Sequence, residues 1–289
     1  MRTLYIDCGM GAAGDMLTAA LLELHPDPAA FLERMNALAL PGVEISALPC
    51  VKCGVTGTRV EVLVGGAEEE SADAEGPHVH VHAHVHGHTH EEEHSHGHTH
   101  EHEEEHASRH AHEHHREGHS HAGMHEIGHL VSRLDLPEKV RADVLAVYAL
   151  IAEAEGKVHG RPVSEVHFHE VGALDAVADI AGVSLLLHEI APARIVASPV
   201  HVGSGHVRCA HGVLPVPAPA TMELLRGVPI YGGAVRGELC TPTGAALLKH
   251  FVSEFAPLPL MKVSRIGYGM GKKDFAWANC VRVMLGEAE

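Results

Sequence analysis

The spacing of apolar residues divides the chain into two ordered stretches separated by a polar tract. In the first stretch, a glycine-rich turn, GMGAAGDM (9–16), follows the first predicted strand. The predicted elements are, in order, a buried strand TLYIDC (3–8), helices DMLTAALLEL (15–24) and FLERMNALAL (31–40), and strands VEISALPCV (43–51) and TRVEVLV (58–64). Proline and glycine stop the second helix, at Pro41 and Gly42. The first stretch therefore predicts a compact α/β unit over residues 1–65.

The second ordered stretch, residues 123–289, mixes helical and strand patterns. After Pro137, Val140, Val144 and Val147 have the spacing of one amphipathic helix face. The other predicted elements are helices at 126–136, 174–190, 216–227 and 241–251, and strands at 165–171, 194–203, 206–211 and twice within 261–287. We expect 194–203 and 206–211 to pair around the turn Gly203–Gly205. The fold class predicted is α+β or α/β, two-layered with a mixed sheet.

Residues 66–122 form the polar tract between these stretches, and histidine and glutamate dominate it. Between residues 68 and 121 there are fourteen acidic residues and two arginines, so this segment carries −12 of the formal charge of −17. An acidic run with so few apolar residues predicts a disordered insertion. The rest of the chain has a formal charge of −5, which is typical of an ordinary, mildly acidic globular protein.

Charge and hydropathy exclude several classes of protein. No basic face indicates nucleic-acid binding, and no uninterrupted apolar run of about 18 residues predicts a membrane span. MRTLYIDC lacks the apolar region of a signal peptide. The six scattered cysteines are then expected to be reduced thiols in a cytoplasmic protein.

The segment VHFHEVGALDAVAD (166–179) is the most informative candidate site outside the tract. His167 and His169 lie on the same side of an extended segment, and Glu170 follows directly. Asp175 and Asp179 share one face of the next helix. Two imidazoles and nearby carboxylates suit a borderline divalent metal such as Ni, Zn, Co or Mn. The alternative is two half-buried strand histidines beside two surface acids.

A second candidate group lies in HVGSGHVRCAHG (201–212). His201, His206, Cys209 and His211 fall in or beside one predicted hairpin, where imidazole and thiolate would suit nickel or zinc. A hairpin with incidental polar residues explains the same spacing equally well. The pair Cys50 and Cys53 has zinc-like spacing, but no second pair accompanies it, and we interpret it as incidental.

Two further segments could approach a ligand through the backbone. In CTPTGAALLKH (240–250), Thr243 is the predicted N-cap, and Thr241, Thr243 and Gly244 are candidates for binding a phosphate at the helix start. A simple cap without a ligand is the competing interpretation. Asp7 and Asp15 flank the first glycine turn and could bind a metal or cap the turn, although the turn lacks the lysine of a P-loop.

Nineteen histidines lie between His78 and His121, and they alternate with other residues at the start of the tract. The alternating histidines proposed as metal ligands are His78, His80, His82, His84, His86, His88 and His90. Imidazoles are mostly neutral at pH 7, and they favour Ni and Cu over Mn or Fe. Since chemistry requires ligands held in place, the tract is predicted to capture and deliver ions rather than to catalyse.

Taken together, these motifs resemble the nickel-insertion proteins of the lactate racemase system, the LarC family. The similarity covers nearly the whole chain. Its most specific parts are LYIDCGMGAAGDM, EVHFHEVGALDAVADI, ASPVHVGSGHVRCAHGVLPVPAPAT, TPTGAALL and GYGMGKKDF. Many relatives have hydroxyl residues in the first glycine turn, where this chain has Met10 and Ala13.

The resemblance implies insertion of Ni²⁺ into pyridinium-3,5-bisthiocarboxylic acid mononucleotide, with two Ni–S bonds and one Ni–C bond formed. It implies a lyase-class enzyme that consumes CTP with Mn²⁺ or Mg²⁺. Loss of a ring proton requires a base, for which His167, His169 and Glu170 are the candidates. Full-length relatives continue past Glu289, so the chain resembles their N-terminal part, and a separate or frameshifted C-terminal partner is expected. A homo-oligomer is a further expectation.

Two other functions remain open from the sequence. One is a nickel store or metallochaperone without catalysis, which the tract favours. The other is a metal-dependent hydrolase built on HFHE (167–170).

Overall fold

The computed structural model describes residues 1–38, 40–68, 122–168, 174–209 and 211–289, and the residue pair 72–73; at 72, 73, 122 and 167 it describes the backbone alone. The helices are α1 Gly14–Leu22, α2 Pro28–Ala37, α3 Met124–Arg133, α4 Glu138–His159, α5 Leu174–Ile190, α6 Pro219–Leu224 and α7 Pro242–Phe251. A short 3-10 turn, Val163–Glu165, follows α4.

The strands are short except for those of the main sheet. They are β1 Arg2–Asp7, β2 Val43–Lys52, β3 Val55–Val64, β4 Ala67–Glu68, β5 Ala72–Asp73, β6 Ala122–Gly123, β7 His167–Phe168, β8 Arg194–Ala197, β9 Val200–His201, β10 Gly203–Ser204, β11 His206–Cys209, β12 Gly212–Pro215, β13 Ile230–Tyr231, β14 Gly237–Glu238, β15 Glu254–Phe255, β16 Met261–Met270 and β17 Cys280–Ala288.

The main sheet is mixed and has eight strands in the order β15-β8-β1-β17-β16-β3-β2, with β4 paired to β3. The pairs β15–β8, β8–β1 and β16–β3 are parallel, whereas β1–β17, β17–β16 and β3–β2 are antiparallel. Strands from before and after the tract thus share one sheet. This arrangement confirms the predicted mixed α/β class.

Alternation along β1 separates the two faces of the sheet. Leu4 and Ile6 are buried in the main core with the helices, whereas Tyr5 packs with Val196 and Met284 on the opposite face. Helix α1 packs on β16, β3 and β17, and α5 packs on α1. Helix α4 packs in turn on α5, α6 and α7. The first glycine turn and the start of α5 are therefore drawn together above the sheet.

Most predicted elements are found where the apolar pattern placed them, including the helix at 174–190 and the two strands of 261–287. The predicted pairing of 194–203 with 206–211 is wrong. Strand β11 pairs with β12 and β5, and β9 pairs with β13 instead. Gly212, with φ +104°, lets β11 and β12 form the tighter hairpin, which takes the hydrogen bonds of β11.

Within the described ranges, no helix is long and apolar enough to cross a membrane. The predictions for residues 74–121, including His78–His90, lie outside the described residues, as do His169 and Glu170.

Candidate active site

The first glycine turn, residues 8–13, is held against the segment that leads into α7. The Ala12 N–H donates to the Leu239 carbonyl at 3.0 Å, and the Thr241 N–H donates to the Ala12 carbonyl at 3.1 Å. Ala12 and Cys240 form an isolated parallel bridge. Two segments that lie about 230 residues apart in the sequence therefore meet backbone to backbone.

Helix α7 begins two residues earlier than a cap at Thr243 requires. Thr241 is the N-cap, and its hydroxyl accepts from the Gly244 N–H at 3.1 Å, with Pro242 at the first helical position. The predicted N-cap role of Thr243 is wrong, because proline at N1 moves the cap back to Thr241. A Cβ on Gly244 would lie 2.1 Å from the Ala12 carbonyl oxygen. Gly244 thus allows the close approach of the glycine turn.

Three carboxylates meet where α1 and α5 cross. Asp15 is in the first turn of α1, and Asp175 and Asp179 are in α5. A Cβ on Gly14 would lie 2.5 Å from Oδ2 of Asp179, so only glycine there admits this carboxylate. The Asp15 N–H donates to the Asp179 carboxylate. Asp179 therefore satisfies an N-terminal donor of α1, whose own N-cap, Ala13, offers no side-chain bond.

Burial and mutual repulsion raise the pKa values of Asp15 and Asp179, which are called the carboxylate pair below. Desolvation raises the pKa of Asp179 well above its usual range, and the charges of Asp15 and Asp175 raise it further. Desolvation also raises the pKa of Asp15, although Lys272 acts in the opposite direction. Oδ1 of Asp179 is buried without a hydrogen-bond partner. The pair therefore binds a proton more tightly than exposed carboxylates do.

Tyr148 connects these carboxylates to the HFHE segment. Its side chain in α4 is fully buried, and its ring lies 5.6 Å from the ring of Phe168, centroid to centroid. Burial raises the pKa of Tyr148 well above its usual value, and the charges of Asp175 and Asp179 add to the effect. Phe168 is the residue between His167 and His169. Sequence spacing alone places Tyr148 on the same apolar helix face as Val140, Val144 and Val147 and indicates nothing more for it.

Lys272 is a cation whose charge acts on both carboxyls of the pair, and Arg59 also acts on Asp15. Lys272 lies in the loop between β16 and β17, lowers the pKa values of Asp15 and Asp179, and forms an ion pair with Glu68 at 2.9 Å. Lys52 stabilises this loop by donating to the Lys272 and Lys273 carbonyls at 3.2 and 3.3 Å. The motif GYGMGKKDF contained the signal for Lys272, but spacing alone did not connect it to Asp15.

His201 lies under the glycine turn, apart from the other members of its predicted group. Its side chain is 6% exposed, and its ring stacks on Tyr231 with centroids 4.7 Å apart. Nδ1 lies 3.0 Å from the Gly9 carbonyl, which can only accept, so Nδ1 is the donor of this bond and, in the neutral ring, Nε2 has the lone pair. That Nε2 is buried without a partner, and a Cβ on Gly233 would lie 2.4 Å from it.

His206, Cys209 and His211 remain together on the β11–β12 hairpin, away from the strand that carries His201. His206 and His211 are exposed, and Cys209 is half-buried. The imidazole of His211 lies against that of His159, at the end of α4, with ring centroids 4.8 Å apart. The structure thus divides the predicted second group between a buried position and a surface hairpin.

Asp7 lies outside the carboxylate cluster. One of its oxygens accepts from the Gly9 N–H at 3.1 Å, and the other pairs with Arg282. In the part of the chain that the structure describes, no group of three or more His, Cys, Asp or Glu side chains is arranged to hold a metal ion.

The fold and this site define a mixed α/β protein that buries two carboxyls of raised pKa where α1 and α5 cross. The chain belongs to the nickel insertion protein family, whose model matches residues 4–289. It is 44% identical over 291 residues to the pyridinium-3,5-bisthiocarboxylic acid mononucleotide nickel insertion protein of Clostridium acetobutylicum, covering 100% of this chain and 65% of that protein.

Two other relatives show the same relationship. The proteins of the same name from Clostridium kluyveri and Desulfitobacterium hafniense strain DCB-2 are 39% and 36% identical, over 100% and 99% of this chain. The alignments cover 63% and 59% of those two proteins. The chain therefore spans about three fifths of the length of these relatives. No solved structure matches the chain.

Proposed function

We propose that this chain inserts nickel into pyridinium-3,5-bisthiocarboxylic acid mononucleotide, as the name of its relatives states for them. Nickel is a substrate of this reaction and ends bound to two sulfurs and one ring carbon of the nucleotide. Forming the Ni–C bond releases the proton of that carbon as H⁺. The protein must therefore present nickel, hold the nucleotide and accept a proton, which is lyase-class chemistry.

The Asp15–Asp179 pair is the observation that supports this proposal most. A proton acceptor works best when its pKa lies near the working pH, and ordinary carboxylates are too acidic. Desolvation and repulsion shift both carboxylates in the required direction. The unpaired Oδ1 of Asp179 is a position at which the pair can hold the transferred proton. We assign proton acceptance to this pair, a role that the sequence offered to His167, His169 and Glu170.

Histidine and carboxylate ligands suit the presentation of nickel, because the metal must leave them again. A closed four-thiolate site would retain the ion. We propose His167 and His169 as nickel ligands. They flank Phe168, whose ring contacts the ring of Tyr148. Tyr148 in turn lies near enough to Asp175 and Asp179 for their charges to raise its pKa. His201, with a free lone pair at Nε2, is a further ligand or base next to the glycine turn.

The substrate phosphate is assigned to the start of α7, through Thr241, Thr243 and Gly244. Helix N-termini attract anions through free N–H groups. Pro242 has no N–H, and the Gly244 and Ala245 N–H groups already donate to Thr241, so the contribution expected there is that of the Thr243 N–H.

We assign the binding of CTP with Mn²⁺ or Mg²⁺ to the part of the longer relatives that lies outside the matched region. The relatives extend well beyond the matched region. We expect nucleotide-dependent turnover to require the C-terminal part, either as a separate chain or as a frameshifted long form.

Substitution of Asp179 and of the histidine pair tests the proposal. With the C-terminal part supplied, we expect Asp179→Asn and the double variant His167→Ala/His169→Ala to lose most product, at least about tenfold, since one proton-transfer group contributes roughly 10²–10⁴ in rate. Formation of the nickel-bound nucleotide is followed by mass spectrometry. Asp143→Asn is the matched control, because Asp143 bonds His250 at 3.0 Å outside the site.

Normal product formation by Asp179→Asn would remove the proton-acceptor role, and normal formation by the histidine double variant would remove the ligand role. Low activity of both variants with an intact fold, checked by circular dichroism, supports the site.

A nickel store without catalysis is the second candidate, which the nineteen histidines of the tract favour. The two functions differ in what removal of residues 78–121 does when nickel is plentiful. A store loses its function, whereas an insertion enzyme keeps its turnover.

A further inference from the structure

Tyr231 presents an exposed aromatic ring that is covered on one face only. The residue is 44% exposed. The ring of His201 lies parallel to the ring of Tyr231, with planes 5° apart and centroids 4.7 Å apart, and therefore covers one face. The exposed area then belongs to the edge and to the opposite face of the Tyr231 ring. That face is available to a second planar group.

The neighbours of Tyr231 hold this ring in place and leave it uncovered. Nδ1 of the buried His201 donates to the Gly9 carbonyl at 3.0 Å, which fixes the imidazole against Tyr231. Gly232 and Gly233 follow Tyr231, are both exposed, and have no side chain that could cover the ring. A Cβ on Gly233 would lie 2.4 Å from Nε2 of His201, so the stacked arrangement requires glycine there.

The charges near the Tyr231 ring favour a cationic ligand. Desolvation raises the pKa of Tyr231, and the charges of Asp7 and Cys8 raise it further. Burial raises the pKa of Cys8 to about 12, so Cys8 keeps its proton at neutral pH and Asp7 is the negative charge beside the ring. Arg282 pairs with Asp7 and balances part of this charge. The face of an aromatic ring attracts cations, and a carboxylate nearby acts in the same direction.

Backbone hydrogen bonds connect Tyr231 to the start of α7, where the substrate phosphate is proposed to bind. The Val202 N–H donates to the Tyr231 carbonyl at 3.0 Å, and the Leu239 N–H donates to the Val202 carbonyl at 3.4 Å. Hydrogen-bonded backbones lie about 4.8 Å apart, so Tyr231 and Leu239 are separated by no more than about 10 Å. Leu239 precedes Thr241, the N-cap of α7, by two residues. One mononucleotide can therefore reach both positions.

We propose that the open face of Tyr231 stacks on the cationic pyridinium ring of the substrate, while His201 supports Tyr231 from the other face. This inference rests on the proposed function, because the ring is that of the pyridinium mononucleotide in the name of the relatives. The ligand class is an N-ribosyl pyridinium monophosphate. With the phosphate at α7, the stack fixes the plane of the pyridinium ring and thus the position of the carbon that binds nickel.

The oxidised and reduced forms of nicotinamide mononucleotide test this contact, because they share ribose and phosphate and only the oxidised form has a cationic ring. Isothermal titration calorimetry with the full chain, without nickel, measures both affinities. We expect wild type to bind the oxidised form about three- to thirtyfold more tightly, the range of a cation–π contact. Tyr231→Phe should keep this preference, and Tyr231→Leu should lose it. Trp277→Leu, which removes another exposed aromatic ring, is the matched control and should keep the preference.

Three results would overturn the stacking contact. They are no binding of the oxidised form by wild type, equal affinity of wild type for both forms, and the same preference in Tyr231→Leu as in wild type. Loss of the preference in Trp277→Leu alone would place the pyridinium ring at Trp277 instead.

Product formation by the same proteins separates this inference from the proposed function. With nickel and the C-terminal part supplied, Tyr231→Leu should raise KM for the pyridinium substrate several-fold. If wild type forms no product but its preference for the oxidised form depends on Tyr231, the proposed function fails and the pyridinium site stands. If Tyr231→Leu forms product with an unchanged KM, the proposed function stands and the stacking contact fails.

Discussion

At Asp179, burial and two neighbouring carboxylates act on one group in the same direction. Desolvation, Asp15 and Asp175 all favour its protonated form, and only Lys272 and the Asp15 N–H oppose them. A carboxyl that holds its proton against water stabilises the folded state only while the proton stays bound. Its effect on stability is therefore a function of pH.

The direction of this pH dependence follows from how many protons the folded and the unfolded chain bind. Above the ordinary pKa of aspartate the unfolded chain has lost this proton while the folded chain retains it, so the free energy of unfolding falls as pH rises towards the raised pKa. We expect Asp179→Asn, which keeps an acceptor for the Asp15 N–H, to weaken this fall and to exceed wild type in stability near pH 7. Urea denaturation of wild type and Asp179→Asn between pH 4 and pH 8 measures the free energy of unfolding of each protein.

Asp179→Ala is the control for that experiment, since it removes both the charge and the acceptor and leaves the start of α1 without its partner. It should be less stable than Asp179→Asn at every pH. Parallel pH profiles for wild type and Asp179→Asn would show that Asp179 does not carry the shifted pKa.

At the scale of elements, the start of α7 shows how one proline sets a helix boundary. Both Thr241 and Thr243 are N-cap residues by type, and the pattern TPTG (241–244) does not separate them. Proline is favoured at N1, so the helix starts at Pro242 and Thr241 becomes the cap. Thr243 then lies in the first helical turn.

A pair of substitutions checks this assignment. Thr241→Ala should cost about 1 kcal/mol of unfolding free energy, because the Gly244 N–H loses its acceptor. Thr243→Ala should be close to neutral, since alanine has the higher helix propensity. Urea denaturation of both variants under one condition gives the comparison. A larger loss for Thr243→Ala would mean that the cap lies at Thr243.

At the scale of the whole molecule, the tract is an insertion between segments that share one sheet. The chain returns to the β1–β17 side of that sheet only after residue 122, through β8, β16 and β17. The predicted limits, 1–65, 66–122 and 123–289, mark segments of the chain, and the first and third segments both contribute strands to this sheet. Both ordered stretches are needed to complete the sheet.

Removal of residues 78–121 should therefore reduce nickel capacity without loss of the fold. We expect most bound nickel to disappear, since nineteen of the thirty histidines lie in this segment. Thermal unfolding should stay within a few degrees of wild type. Equilibrium dialysis with Ni²⁺ and calorimetry measure the two effects. Unchanged nickel capacity would contradict the role of the tract in capture.

Product formation by the same deletion variant, supplied with excess nickel and the C-terminal part, separates insertion from storage. Turnover close to wild type supports insertion with the tract as a reservoir. Loss of turnover at every nickel concentration supports the store.

By itself the sequence determined the local structure and the kind of chemistry. Helix α5 and strands β16 and β17 could be predicted because apolar spacing and glycine stops act over a few residues. The choice of metal ligands likewise follows from residue type, and HFHE and the histidine tract both indicate a borderline divalent ion. Helix boundaries and hairpin partners were less secure, because several local patterns competed for them.

Only the tertiary structure decided which of these residues meet. Asp15 and Asp179 are separated by more than 160 residues in the sequence, and the raised pKa values of both carboxyls depend on the crossing of α1 and α5 at Gly14. The separation of His201 from His211, and the meeting of His211 with His159, depend on strand pairing. A pKa shift arises from distance and burial, and neither is a property of residues taken in order along a chain.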